Sequence, residues 1–238
     1  MAGKRERVRA ENTDEIKRLA REQLASGGAP GLSLRAISRD LGMVSSAIYR
    51  YFPSRDELLT ALIVDAYDSI GFAAEMADAS VVNRDLMARW IAVGSSAYQW
   101  ASDHPAEYGL IFGTPVPGYA APPDTIGPAT RFTAVLLRLL IDADHAGRPQ
   151  AGLHAPIPIS VHDALNSMRA RIGADIPDQL LGAGMLSWVA LFGAISFIRF
   201  GHLHNVIDGH DAYFAGLLEQ LGVGVLGLAA PYIAGAPS

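Results

Sequence analysis

The chain has 238 residues, enough for one compact domain plus a small appendage, and half of them are hydrophobic, which is ample for a core. It has no cysteine, which excludes disulfides and thiolate metal sites. The formal net charge is −5, but residues 1–60 hold eleven Lys+Arg against eight Asp+Glu, so the basic character is confined to the first quarter. Such a balance argues against nucleic acid wrapped over the whole surface and leaves room for a local basic patch.

The N-terminal run MAGKRERVRAENTDE lacks the apolar core of a signal peptide. Lys4, Arg5, Arg7 and Arg9 form a basic arm, suited to following a minor groove or backbone, or else simply solvated. The first helix is expected from about Asn12 or Thr13 to Ser26, burying Ile16, Leu19, Ala20 and Leu24, and ending at Gly27, Gly28, Pro30 and Gly31.

Ser33 is an N-cap for a second helix from Leu34 to about Leu41, with Leu34, Ile37 and Leu41 on one face. Gly42 follows, where left-handed backbone costs glycine little. Met43 and Val44 read as apolar plugs in the turn. Ser45 can cap a third helix over residues 46–52, with Ile48 and Tyr51 or Phe52 inward and Ser46, Ala47, Tyr49 and Arg50 outward. Pro53 ends it, because the residue before proline avoids helical backbone. Ser54 and Glu57 form a capping box for the next helix. Two short helices joined by a tight turn are the outline of a helix-turn-helix, about residues 33–52. The third helix is about 10 Å long and suits the roughly 12 Å major groove. Its exposed residue types suit base edges, a thymine methyl and phosphates. Ser46, Ala47 and Arg50 are the candidates for base reading. Ser33, Tyr49, Tyr51 and Arg55 are the candidates for phosphate contact, with Arg35 and Ser45 in the same group.

The remaining elements also read as helices. They span about 55–77, 85–102, 105–112, 125–146, 160–172, 178–204 and 211–228, with Pro/Gly-rich loops over 113–125 and 146–158. No strand or repeat is evident, so the fold class is all-α. Leu180 to Ile198 contains no charge. Its length approaches a bilayer span, but its glycines and serines fit better a helix buried on all sides. Together with Leu217, Leu218, Leu221, Val225 and Leu228, this run implies an interface between two copies through the last two long helices. A dimer would place two reading helices about one DNA turn (~34 Å) or more apart, and would call for a near-palindromic operator.

The segment from about Glu11 to Ile63 resembles the N-terminal domain of the TetR/AcrR family of transcriptional regulators. The matching positions are Thr13, Ile16, Gly31, Leu34, Ile37, Gly42, Ser45, Ile48, Tyr49, Tyr51, Phe52, Glu57 and Leu58. Two positions depart from the pattern: Ser38 stands where alanine is usual, and Arg55 where lysine is. The segment QWASDHPAEYGLIFG, with Trp100, His104, Gly109 and Gly113, resembles the C-terminal domain type named for its Trp, His and Gly. The resemblance implies a three-helix DNA-binding domain over 10–70. It also implies a larger helical domain over 71–238 that binds a small molecule and dimerises. Candidate pocket residues are Trp90, Tyr98, Trp100, His104, Tyr108, Phe112, Trp188 and Phe192, although an aromatic stripe is also ordinary core.

No G-x-S-x-G elbow, phosphate loop or H-E-x-x-H occurs, so no catalytic residue and no cofactor is expected. His202, His204 and His210 are the nearest metal-like set, with two of them poorly spaced for one helix face. The expectation is a cytoplasmic, homodimeric regulator of transcription, more a repressor than an activator. It would bind double-stranded DNA and an apolar or amphiphilic effector, without a membrane. Two rivals stay open: an effector-binding protein whose DNA end has lost its role, and a regulator anchored through Leu180 to Ile198.

Overall fold

The computed structural model describes residues 3–82, 85–147, 159–173 and 175–228. Among these no strand occurs. Ten helices follow in order: α1 (Lys4–Gly27), α2 (Leu34–Asp40), α3 (Ser45–Ile48), α4 (Arg55–Ala79), α5 (Leu86–Asp103), α6 (Pro105–Phe112), α7 (Ile126–His145), α8 (Ile159–Ile172), α9 (Asp178–Arg199) and α10 (His210–Gln220). The chain divides into two compact units. One comprises Met1–Ser69 with Asp103–Ala129, the other Ile70–Ser102 with Thr130–Ser238.

In the first unit the expected stripes meet in one core. Ile16, Ala20 and Leu24 of α1 pack with Leu34 and Ile37 of α2, Ile48 of α3, Phe52, and Leu58, Leu59, Leu62 and Ile63 of α4. Ala106, Leu110 and Ile111 of α6 lie against that core, as do Val116 and Tyr119 beyond it. Asp65 accepts from Lys17 Nζ at 2.9 Å and Arg21 Nη2 at 2.8 Å, tying α4 to α1.

Several boundaries differ from the sequence expectation. α1 begins at Lys4 rather than near Asn12, because local pairing supports the extra turns: Glu6 accepts from the Gly3 N–H at 2.9 Å, and Arg7 pairs with Glu11 at 3.6 Å. α3 is shorter than expected. It is regular only over four residues and continues as single turns, with Tyr51 N–H and Phe52 N–H both donating to the Ile48 carbonyl. Val44, not Ser45, occupies its N-cap. α9 stops at Arg199, not His204, since Gly201 turns left-handed (φ 78°) and the His202 N–H closes onto the Phe197 carbonyl at 2.8 Å. His202 and His204 therefore sit in turns rather than on a helix. α10 ends at Gln220 and passes into a π-turn over Leu221–Val225. The loop expected over 146–158 lies outside the described residues from 148 onward.

In the second unit, Trp90, Val93, Ala97, Val135, Leu139, Leu191, Ile195 and Leu218 are buried. Trp90 Nε1 donates to the Leu218 carbonyl at 2.7 Å, so even the indole N–H is satisfied inside the core.

Candidate nucleic-acid interface

The turn between α2 and α3 is built by one glycine. Gly42 has φ 63°, and the Met43 N–H reaches back to the Ser38 carbonyl at 2.8 Å, closing the end of α2. Ser38 is fully buried, and its hydroxyl donates to the Arg35 carbonyl at 2.9 Å, which explains how serine fits where alanine is usual. At the other end of α2, Ser33 Oγ accepts from the Ala36 N–H at 3.3 Å and the Ser33 N–H donates to Gln23 Oε1 at 2.8 Å.

Ile48 is fully buried, and this one side chain sets the rotation of α3. Ser45, Ser46, Tyr49 and Arg50 are consequently exposed, with Ala47 half-buried between them. Arg35 is exposed on α2. The surface that results holds two hydroxyls, a phenol and a guanidinium within a span of six residues.

Two candidates and one turn residue stand differently from the rest. Tyr51 is half-buried, and its hydroxyl accepts from Asn12 Nδ2 at 2.8 Å. Arg55 points Nη2 at the Ala29 carbonyl, 2.7 Å away, and Nη1 lies 3.5 Å from Asp56. Its guanidinium thus braces the segment after α1 and keeps only its remaining donors for an external anion. Val44 was expected to plug the turn but is 71% exposed, at the head of α3. Hydropathy alone misplaced it, because an apolar side chain in a turn is buried only where a neighbour covers it. Ser54 does cap α4, accepting from the Glu57 N–H at 3.1 Å.

The eight candidate pocket residues are divided between the two units. His104, Tyr108 and Phe112 belong to the first unit, where Phe112 meets Tyr67 edge-on at 6.3 Å and Tyr108 at 5.0 Å. His104 stands at the N-cap of α6. The other five belong to the second unit. Trp90 and Trp100 are buried, and Trp188 meets Phe192 at 6.2 Å. Tyr98 stacks on Phe214 at 4.4 Å and donates to Asp211 at 2.7 Å. Burial first, then that hydrogen bond, pushes the Tyr98 phenol up to about 12. A cavity of about 10 Å³ lies among Trp90, Leu136, Leu139, Leu140, Gly184, Ser187 and Leu226, room for about one water. Ser187 Oγ is buried there with no hydrogen-bond partner among the described residues.

α9 and α10 leave apolar surface uncovered. Leu186, Val189, Phe197 and Phe200 are 44–56% exposed, and Tyr213 and Val223 about 40%. Leu186, Val189 and Phe197 follow one stripe of α9, and Phe200 lies just past its end. α9 is also the one described helix long and apolar enough to cross a membrane, with 39% of its span buried. Among the described residues, no group of three metal-ligating side chains comes together.

Residues 16–62 match a family profile described as bacterial regulatory proteins, tetR family. Residues 90–221 match one described as the C-terminal domain of tetracyclin repressor-like proteins. The HTH-type transcriptional regulators Mb1846 of Mycobacterium bovis and Rv1816 of Mycobacterium tuberculosis are each 41% identical over 205 residues, 84% of this chain and 85% of theirs. The crystal structure of SCO4313 superposes with a TM-score of 0.76 at 34% identity, covering 92% of this chain and 98% of that one. A tetR-family regulatory protein from Rhodococcus RHA1 superposes with a TM-score of 0.62 over 92% of this chain and 98% of its own, and at 16% identity it shares the fold alone.

Proposed function

We propose that this chain, which belongs to the TetR family of bacterial regulatory proteins, is a cytoplasmic, homodimeric repressor released from DNA by an apolar or amphiphilic effector. Family members are DNA-binding regulators of transcription that function as dimers, and this chain is such a regulator rather than an enzyme. The helix-turn-helix domain falls within residues 10–70, and effector binding and dimerisation within 71–238.

The observation that carries the reading is the exposure of Ser45, Ser46 and Arg50 around the fully buried Ile48. That arrangement offers base-reading groups on a helix anchored by its own core. Ser46, Ala47 and Arg50 read bases, and Val44 adds apolar contact of the kind a thymine methyl accepts. Arg35, Ser33, Ser45, Tyr49 and Tyr51 meet phosphates, with Arg55 as a brace that adds a further donor.

The stripe Leu186, Val189, Phe197 and Phe200, with Tyr213 and Val223, supports pairing of two copies through α9 and α10. A second copy accounts for that surface better than a bilayer does, because α9 also carries the buried hydroxyl of Ser187 and the half-buried Arg199. The effector class rests on the apolar interior of the second unit, in which Trp90, Val135, Leu139, Leu191 and Ile195 are buried.

The test is selection of duplexes from a randomised library, followed by sizing of the complex. A two-fold related pair of half-sites bound by two chains is the expected result. Recovery of unrelated sequences with no enrichment would overturn the reading.

A further inference from the structure

The first two turns of α1 carry Lys4, Arg5, Arg7 and Arg9 on regular helix, not on a loose arm. They are also fastened to the end of the recognition segment. Arg9 Nη2 donates to the Arg50 carbonyl at 3.2 Å, and its guanidinium lies over the Tyr51 ring, 5.7 Å from the centroid. One turn further on, Asn12 donates to the Tyr51 hydroxyl at 2.8 Å. These three contacts join one face of α1 to the two residues that follow Tyr49.

Arg5 lies four residues before Arg9, so it occupies the same face one turn nearer the N-terminus. Helical side chains tilt toward the N-terminus, which carries Lys4 and Arg5 beyond the packed part of α1. Arg7 pairs with Glu11, and the Glu6 carboxylate is occupied by the Gly3 N–H. Lys4 and Arg5 are exposed and have no ion-pair partner among the described residues.

We propose that the first turns of α1, clamped to the recognition segment by Arg9, form a second DNA-contacting element whose ligand is the sugar-phosphate backbone beside the bases read by α3. The inference rests on the DNA-reading role given to α3. A helix is about 10–12 Å across and the minor groove about 6 Å wide, so a helical turn cannot enter that groove. It meets phosphates from outside, and its contribution is independent of base sequence. Arg9 is a positioning residue, and Arg5 makes the contact.

The test measures the salt dependence of binding for the full chain on two probes: a duplex selected from a randomised library and a mixed-sequence duplex of equal length. Arg5→Ala removes one phosphate contact and is expected to lower the slope of log affinity against log salt by about 0.9 on both probes, with the ratio between probes unchanged. Val8→Pro keeps every charge but breaks the helix between Arg5 and Arg9. It is expected to lower the slope in the same way, because the freed turn is no longer held against the duplex. Far-UV circular dichroism and thermal melting verify that both variants fold, and Val8 is 43% exposed and outside the core. A wild-type slope for Arg5→Ala overturns the contact. A wild-type slope for Val8→Pro beside a reduced one for Arg5→Ala shows a flexible tail and overturns the clamped helix. Loss of the preference for the selected duplex in Arg5→Ala assigns it base reading and overturns the backbone assignment. If the wild-type chain binds neither duplex, the proposed function fails first, and this inference with it.

Discussion

Arg89 and Asp142, fifty-three residues apart, meet at 2.6 Å, and the same guanidinium takes Asp78 at 2.7 Å. The Arg89 side chain is only 8% exposed. The hydrogen bond that it donates to Asp78 is the main reason the guanidinium holds its proton more tightly than usual. A buried arginine between two carboxylates binds α4, α5 and α7 of the second unit together. Arg89→Met should lower stability by about 3 kcal/mol, because it leaves two acids facing each other without a cation. A fall in the urea midpoint with an unchanged slope is the expected result, and an unaltered midpoint would show that solvent satisfies both acids.

Arg50 is exposed at the end of the recognition segment, and its backbone carbonyl is already engaged by Arg9. Arg50→Ala should weaken specific binding by about 1–3 kcal/mol and relax preference at one base pair, as expected for a bidentate grip on guanine. Binding to mixed-sequence duplex should change far less. Equal losses on both would make Arg50 a phosphate contact instead.

Phe197 is 54% exposed in the middle of the α9 stripe. Phe197→Glu should place a charge in the interface between copies and yield a monomer by analytical ultracentrifugation. The monomer should keep its helical content and bind a single half-site weakly. A persistent dimer would move the interface elsewhere.

Tyr98 ionises at about 12 in the folded chain, while an unfolded phenol ionises near 10. The folded value is the higher one, so the contribution is fully present below pH 10. It is lost as pH rises through the window from about 10 to 12. Tyr98→Phe keeps the stacking on Phe214 and removes the ionisable group. The wild type should therefore lose melting temperature faster than Tyr98→Phe across that window. Parallel curves would rule the linkage out.

Gly222 sits against the core of the second unit. A Cβ there would lie 2.5 Å from Met87 Sδ and 2.9 Å from Trp90 Cδ1. Gly222→Ala should cost about 1–3 kcal/mol by overpacking, most visibly as a change in tryptophan fluorescence. A neutral result would mean that Met87 swings clear and leaves Trp90 in place.

Much of the DNA-reading end was legible in advance because its signals are local. Ser33 as a cap, Gly42 as a left-handed turn and Ser54 as the cap of α4 depend on a few neighbouring residues, and all three stand as the pattern implied. The burial of Ile16, Ile37 and Ile48 followed from helical spacing. The early start of α1 was less visible, since its Lys/Arg/Glu-rich turns carry no apolar period. They are held by Glu6, by Glu11 and by the distant Arg50 carbonyl. Val44 was misjudged for a related reason: hydropathy says what a side chain prefers, not whether a neighbour arrives to cover it.

The order of apolar and polar residues by itself determined an all-α chain, the register of the helix-turn-helix and the faces that must be buried. Those properties follow from a 3.6-residue period and from caps, both of which act within one or two turns. Only the tertiary structure decided which surface meets which. It set Phe112 against both Tyr67 and Tyr108 in the first unit, gave Arg89 to two acids from other helices, and left Leu186, Val189 and Phe197 about half exposed. Pairings of that kind join residues tens of positions apart, and the free energy that selects among them comes from packing the whole core at once.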